Sequence, residues 1–154
     1  MPSAIESAGT NWIALTKKTG KVEEREAEKI FETLPPAPIE TFKGSWKGFS
    51  VNTGHPGPKK NDEVRWAGKN FWGVDDVEPM VQYNEAGERV WMEQIGKARF
   101  REVKYKGVLS TAMIYDKMPI TDHFRLVNDD MVAGVMDTHL FPGEGNMYFY
   151  LTKL

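Results

Sequence analysis

Four ionisable side chains fall close together in the C-terminal half of the chain: Asp116, Asp122, His123 and Arg125, interleaved with Met113, Tyr115 and Phe124. Their types suggest proton transfer and carbonyl recognition. An imidazole titrates near neutral pH and can give or take a proton, and a guanidinium grips a carboxylate or carbonyl oxygen. The residues 108–115 and 120–127 have strand composition and are joined by a tight turn at 116–119. Successive side chains of a strand point to opposite faces. Asp122, Phe124 and Leu126 therefore share one face, and Thr121, His123, Arg125 and Val127 the other. Either Asp122 or the His123/Arg125 pair looks inward. A purely structural reading competes, with Arg125 paired to Asp116 or Asp137 and bracing neighbouring strands.

Lys69 is a second candidate, set between Gly68 and the aromatic pair Phe71 and Trp72. Buried, it would hydrogen-bond a carbonyl or form a Schiff base; on the surface it would lay its stem along the rings and keep its charge in water. Tyr148 adds a hydroxyl donor. Lys69, Asp122, His123, Arg125 and Tyr148 are thus the catalytic candidates. For the lining of an apolar pocket the sequence offers Phe71, Trp72, Tyr83, Trp91, Tyr115, Phe124 and Tyr150. The adaptable Met113 and Met136 join them, and Trp66 and Phe149 are further aromatics of the same kind. Trp46 contacts a ligand or, as the better reading, plugs one end of the fold.

His55, His123 and His139 are the only histidines, and no two have close ligand spacing. No metal site is expected. The sequence lacks G-x-G-x-x-G, a P-loop and a G-x-S-x-G elbow, so no nucleotide cofactor is expected and serine hydrolysis is disfavoured. The absence of cysteine removes disulfides and thiolate chemistry. A net charge of −2 gives no reason to expect nucleic acid; the basic run Lys97, Arg99, Arg101, Lys104 and Lys106 reads as a solvated strand face. Neither a secretory leader nor a bilayer-spanning apolar run is evident. The expectation is a cytoplasmic monomer or homodimer whose partner is a small lipophilic molecule.

The elements that must position these residues follow from periodicity. Residues 1–20 are small and polar apart from Trp12, Ile13 and Leu15, and read as an N-terminal tail or a short docking segment. From Val22 to Leu34 apolar residues recur at helical spacing, with acids in the first turns and Pro35–Pro36 at the end. Alternating patterns then predict strands at 41–51, 70–74, 80–83, 89–94, 98–105, 108–115, 120–127, 131–137 and 147–153, with 52–62 a loop. Many short strands at regular spacing predict a sandwich or barrel, and closure removes exposed edges. The reading is one mostly-β domain at 21–154, with a helix at about 22–34 and an antiparallel barrel at about 40–154.

Gly44-Ser45-Trp46-Lys47-Gly48, then Thr53-Gly54-His55-Pro56, Trp66-Ala67-Gly68-Lys69-x-Phe71, and the series from Tyr105-Lys106-Gly107 through Asp122-His123-Phe124-Arg125 to Gly134-Val135-Met136-Asp137 resemble the GXWXG family with its uncharacterised C-terminal domain. The resemblance spans roughly residues 40–154. It implies a lipocalin-like barrel with a ligand cavity and supplies no reaction. With no cofactor motif, the expected function is a cofactor-independent isomerase or cyclase of a lipophilic metabolite, including a pericyclic, Diels–Alder-type cyclisation. The alternatives are a carrier that holds such a ligand unchanged, or a barrel holding haem through one histidine.

Overall fold

The computed structural model describes residues 3–154. Helix α1 (Ala4–Thr16) occupies the segment expected to be a tail or a short docking segment, and it docks. Ser3 caps it: its hydroxyl accepts from the Glu6 N–H at 3.1 Å, while the Glu6 carboxylate accepts from the Ser3 N–H at 2.8 Å. Ala8, Trp12 and Leu15 fall on one helical face, and Trp12 is 0% exposed. That stripe is too sparse among small polar residues to stand out in the sequence. Helix α2 (Glu24–Thr33) lies within its predicted bounds.

The strands are β1 (Gly44–Ser50), β2 (Trp66–Gly73), β3 (Asp76–Tyr83), β4 (Arg89–Trp91), β5 (Ala98–Tyr105), β6 (Val108–Tyr115), β7 (Ile120–Asn128), β8 (Met131–Thr138) and β9 (Met147–Lys153). Between β1 and β2 the expected loop contains a short helix, α3 (Gly57–Glu63). All pairings are antiparallel. The order β2-β1-β9-β8-β7-β6-β5-β3 closes on itself through β2–β3, giving an eight-stranded barrel with β4 added to β3 as a flap. An eight-stranded barrel is just wide enough for its side chains to fill it or for one small ligand.

Strand alternation divides the apolar residues into two clusters. Inward residues Phe42, Trp46, Phe71, Phe100, Phe124 and Leu151 fill one end of the barrel, with Phe42 within 4.9–5.3 Å, centroid to centroid, of Phe71, Phe100 and Phe124. Outward residues Val127, Ala133, Val135 and Tyr148 are covered by Trp12, Leu15, Ala27 and Phe31 of the two helices. Gly9 brings α1 down onto β7: a Cβ there would lie 2.6 Å from the Val127 carbonyl oxygen. The helices cover an outer wall and leave the barrel's other end open.

Candidate functional site

The end opposite the aromatic plug holds a chamber of about 240 Å³. Trp66, Met80, Ile95, Tyr115, Met136, Met147 and Phe149 supply most of its wall, while Gly57, Lys60 and Asn61 of α3, Met118 of the β6–β7 turn and Leu140 and Phe141 of the β8–β9 loop surround its mouth. Lys69 and Asp122, each 2% exposed, bring opposite charges from the barrel interior to it, beside the Tyr115 phenol.

These two meet across the barrel. Lys69 Nζ lies 3.2 Å from Asp122 Oδ2 and donates to the Pro79 carbonyl at 3.0 Å and to the Tyr115 hydroxyl oxygen at 3.3 Å. Rings surround the same nitrogen: the Phe149, Trp66 and Tyr115 centroids are 5.3, 5.6 and 5.6 Å away, where ring quadrupoles favour a cation. Desolvation pushes the Lys69 ammonium below its ordinary pKa and the Asp122 carboxyl above its own, each partly countered by the opposite charge of the other. Burial drives the Tyr115 phenol well above its usual value, with Asp122 adding to the shift, so it stays protonated. Asp122 Oδ1 is buried and accepts a hydrogen bond from no described residue.

Local structure explains how these groups converge. On β6 and β7, Met113 pairs with Asp122, which sets Tyr115 diagonally across from the carboxylate on the same face. On β2 the pairing with β3 slips on both sides of Gly68. The bulge changes the parity of the strand, so Trp66 and Lys69, three residues apart, both line the chamber. Gly68 itself has φ +138°, and a Cβ on it would fall 2.0 Å from the Trp46 carbonyl oxygen. Only glycine fits there.

The remaining candidates are placed elsewhere. His123 lies on the outer wall, its ring stacked on Tyr105 at 3.9 Å and its Nε2 3.1 Å from Asp137 Oδ2. Arg125, also outward, donates to the carbonyls of Phe31, Glu32 and Leu34 at the end of α2. It pairs with neither Asp116, which binds Arg99, nor Asp137. Tyr148 packs against Phe31 in the helix-covered wall. Alternation alone accounts for all three: with Asp122 and Phe149 inside, their neighbours along the strand must face out. Of the lining candidates, Tyr115 and Met136 border the chamber. Phe71, Met113, Phe124 and Trp46 belong to the plug side of the interior. Trp72 is 54% exposed, Tyr83 ends β3 beside Arg89, Trp91 donates its indole N–H to Gly96 O at 3.1 Å, and Tyr150 stacks on Phe49 outside the barrel. The chamber's Met80, Met118 and Met147, with Ile95, Ile120 and α3, were not anticipated; an unusual methionine content, eight in 154 residues, is the signal that could have drawn attention to them.

None of the three histidines borders the chamber. His55 is fixed at the rim, where its Nδ1 accepts from the Gly57 N–H at 2.9 Å and its ring meets Phe141 edge-on at 5.0 Å; burial lowers its pKa. Among the described residues no group of three or more His, Cys, Asp or Glu is arranged to hold a metal ion, and no helix is long and apolar enough to cross a membrane.

Two family models match in tandem, the GXWXG protein model over residues 29–87 and a domain of unknown function, DUF4334, over residues 96–153. The chain belongs to the GXWXG family. It is similar to a protein from Thermomonospora curvata of known crystal structure, at 36% identity with a TM-score of 0.89, over 96% of this chain and 99% of that one. No curated protein matches it. The motif that names the family builds the site indirectly. Trp46 is wholly buried in the plug, its indole N–H donating to Lys43 O at 3.0 Å. Gly48 lies beneath the second tryptophan, since a Cβ there would come within 2.5 Å of the Trp66 ring. Trp66 in turn donates to Gly68 O at 3.0 Å, across the bulge that delivers Lys69. In this GXWXG protein one tryptophan closes the barrel and its neighbour walls the chamber.

Proposed function

We propose that this protein is a cofactor-independent isomerase or cyclase acting on a small lipophilic metabolite held in the chamber. One observation carries the reading: a Lys69–Asp122–Tyr115 cluster is buried in the wall of an otherwise apolar cavity. Burying two charges costs several kcal/mol per ion before their attraction is counted, and a core of similar shape could be built from apolar residues. The shape and rings of the wall orient the substrate, which alone lowers a barrier by several kcal/mol, and the cluster stabilises charge as it develops on a carbonyl oxygen.

At about 240 Å³ the chamber lies just below the usual range of roughly 300–1,000 Å³ for ligand sites. That size suits a compact substrate, or one whose remainder stays at the mouth beside Leu140 and Phe141. A pericyclic cyclisation fits if both reacting arms are short. A carrier is the second reading, favoured by the way Lys69 already commits its protons to Asp122, Tyr115 and Pro79. A haem axial ligand would have to come from a histidine that faces the cavity, and the positions of His55, His123 and His139 give that reading no support.

Isomerisation and cyclisation leave the mass of the substrate unchanged, which makes the test simple. Purified protein is incubated with fractionated lipophilic metabolites and followed by chromatography with mass spectrometry. The expected result is loss of one component and growth of another of equal mass, abolished by Met136→Trp, which fills the chamber. A component that binds and is returned unaltered would establish the carrier reading instead.

A further inference from the structure

The two chamber-facing groups that Lys69 organises are complementary in a way the pair alone is not. Tyr115 accepts from the Lys69 ammonium and donates its own hydroxyl proton to no described residue. Asp122 commits Oδ2 to the same ammonium and leaves Oδ1 without a partner, at 3% side-chain exposure. A buried carboxylate oxygen without a donor is costly, and a catalytic role is one of the reasons a native structure keeps such an atom. One nitrogen therefore holds a hydrogen-bond donor on one side and a buried, unpartnered acceptor on the other, in two residues that line a cavity made mostly of methionine and aromatic side chains.

We infer that the chamber takes an enolisable ketone, with Tyr115 donating to its carbonyl oxygen and Asp122 Oδ1 removing a proton from the adjacent carbon. The inference rests on the isomerase reading above and names its substrate class and its base. The step balances without a co-reactant. The α-carbon C–H bond breaks, its proton passes to Asp122, and its electron pair becomes the C=C bond of the enolate. The carbonyl π pair moves to oxygen, which is held by the Tyr115 hydroxyl with Lys69 behind it. Return of the proton from Asp122 to the far end of a conjugated system, or to the opposite face of the same carbon once the enolate has turned over in the chamber, gives an isomer and restores Asp122. Burial supports both roles: it keeps Tyr115 protonated as a donor and makes Asp122 a stronger base than an exposed carboxylate. His123 and Arg125, on the outer wall, take no part.

Menthone is a suitable probe, being a compact lipophilic ketone whose enolisation inverts one stereocentre. The protein is incubated with menthone in deuterium oxide. Deuterium at the α-carbons and formation of isomenthone are followed by gas chromatography with mass spectrometry, and binding is followed separately by saturation-transfer NMR. The expected result is enzyme-dependent exchange and epimerisation, slowed about a hundredfold or more in Asp122→Asn, with menthone still bound. Asp122→Asn leaves Lys69 without its counter-charge, so Tyr115→Phe, which removes only a hydroxyl, provides the second arm; it is expected to slow exchange at least tenfold while binding persists. Binding without exchange above buffer would overturn the base assignment and leave the chamber reading intact. Exchange undiminished in Asp122→Asn would do the same, and exchange undiminished in Tyr115→Phe would overturn the donor assignment. Failure of menthone to bind at all would refute the lipophilic chamber and the inference together.

Discussion

Burial disfavours the charged forms of both Lys69 and Asp122, and each partly offsets that penalty for the other. Taking away one partner should therefore cost more than the pair contributes, about 3–5 kcal/mol. Lys69→Met leaves Asp122 as a lone buried carboxyl whose pKa, already raised by desolvation, rises further. A raised folded-state pKa means that the folded protein holds the proton more tightly than the unfolded chain. The associated stability is complete below the ordinary carboxyl pKa and is lost as pH climbs through the raised value. Urea unfolding of Lys69→Met should accordingly show a larger deficit against wild type at pH 8 than at pH 5, and Lys69→Met/Asp122→Asn should recover most of the loss at pH 8. Equal deficits at the two pH values would mean that Asp122 is not the titrating group.

At the scale of elements, the strand that carries Asp122 was legible because alternation leaves two choices of face and the composition of β7 is regular. Asp122 and Phe124 went in together, and the predicted strands 98–105, 108–115 and 147–153 coincide with those observed. The reach of Lys69 was not legible, since it depends on the bulge at Gly68, where the period-two rule breaks. Helix α1 was hidden for a different reason, its apolar stripe being only three or four residues deep. Two substitutions separate positioning from support. Gly68→Ala forces a Cβ against the Trp46 carbonyl at φ +138° and should destabilise by about 3 kcal/mol while abolishing ligand binding, because β2 must shift Lys69. Arg125→Met removes the donors that hold the end of α2; hydrogen bonds from a charged group are worth about 1.5–3 kcal/mol each. Hydrogen exchange should then quicken across Glu24–Thr33, with menthone binding and turnover retained. A loss of turnover without that change in exchange would return Arg125 to the site.

Taken whole, the barrel divides one interior between a solid half and an open half, and the boundary is drawn by Phe149. Its ring lies against Trp66 at 6.1 Å and Phe124 at 5.8 Å, centroid to centroid, and it presses onto Gly134, where a Cβ would come within 2.3 Å of the ring. The glycine on β8 and the aromatic on β9 thus trade volume across a paired position, and the chamber stops where that ring begins. Phe149→Ala should cost about 3–5 kcal/mol through lost burial and the cavity left behind, and the new space should join the chamber. It should also change which ligands fit. A ligand that binds only the folded state stabilises it by about 2.7 kcal/mol at a hundredfold excess over its Kd. A ketone larger than menthone by one ring should therefore raise the Tm of Phe149→Ala and leave that of the wild type unmoved, whereas menthone should stabilise the wild type more. If the larger ketone stabilises neither protein, the freed volume has collapsed or been sealed off, and the limit on substrate size lies at the rim formed by α3 and Phe141 instead of at the floor.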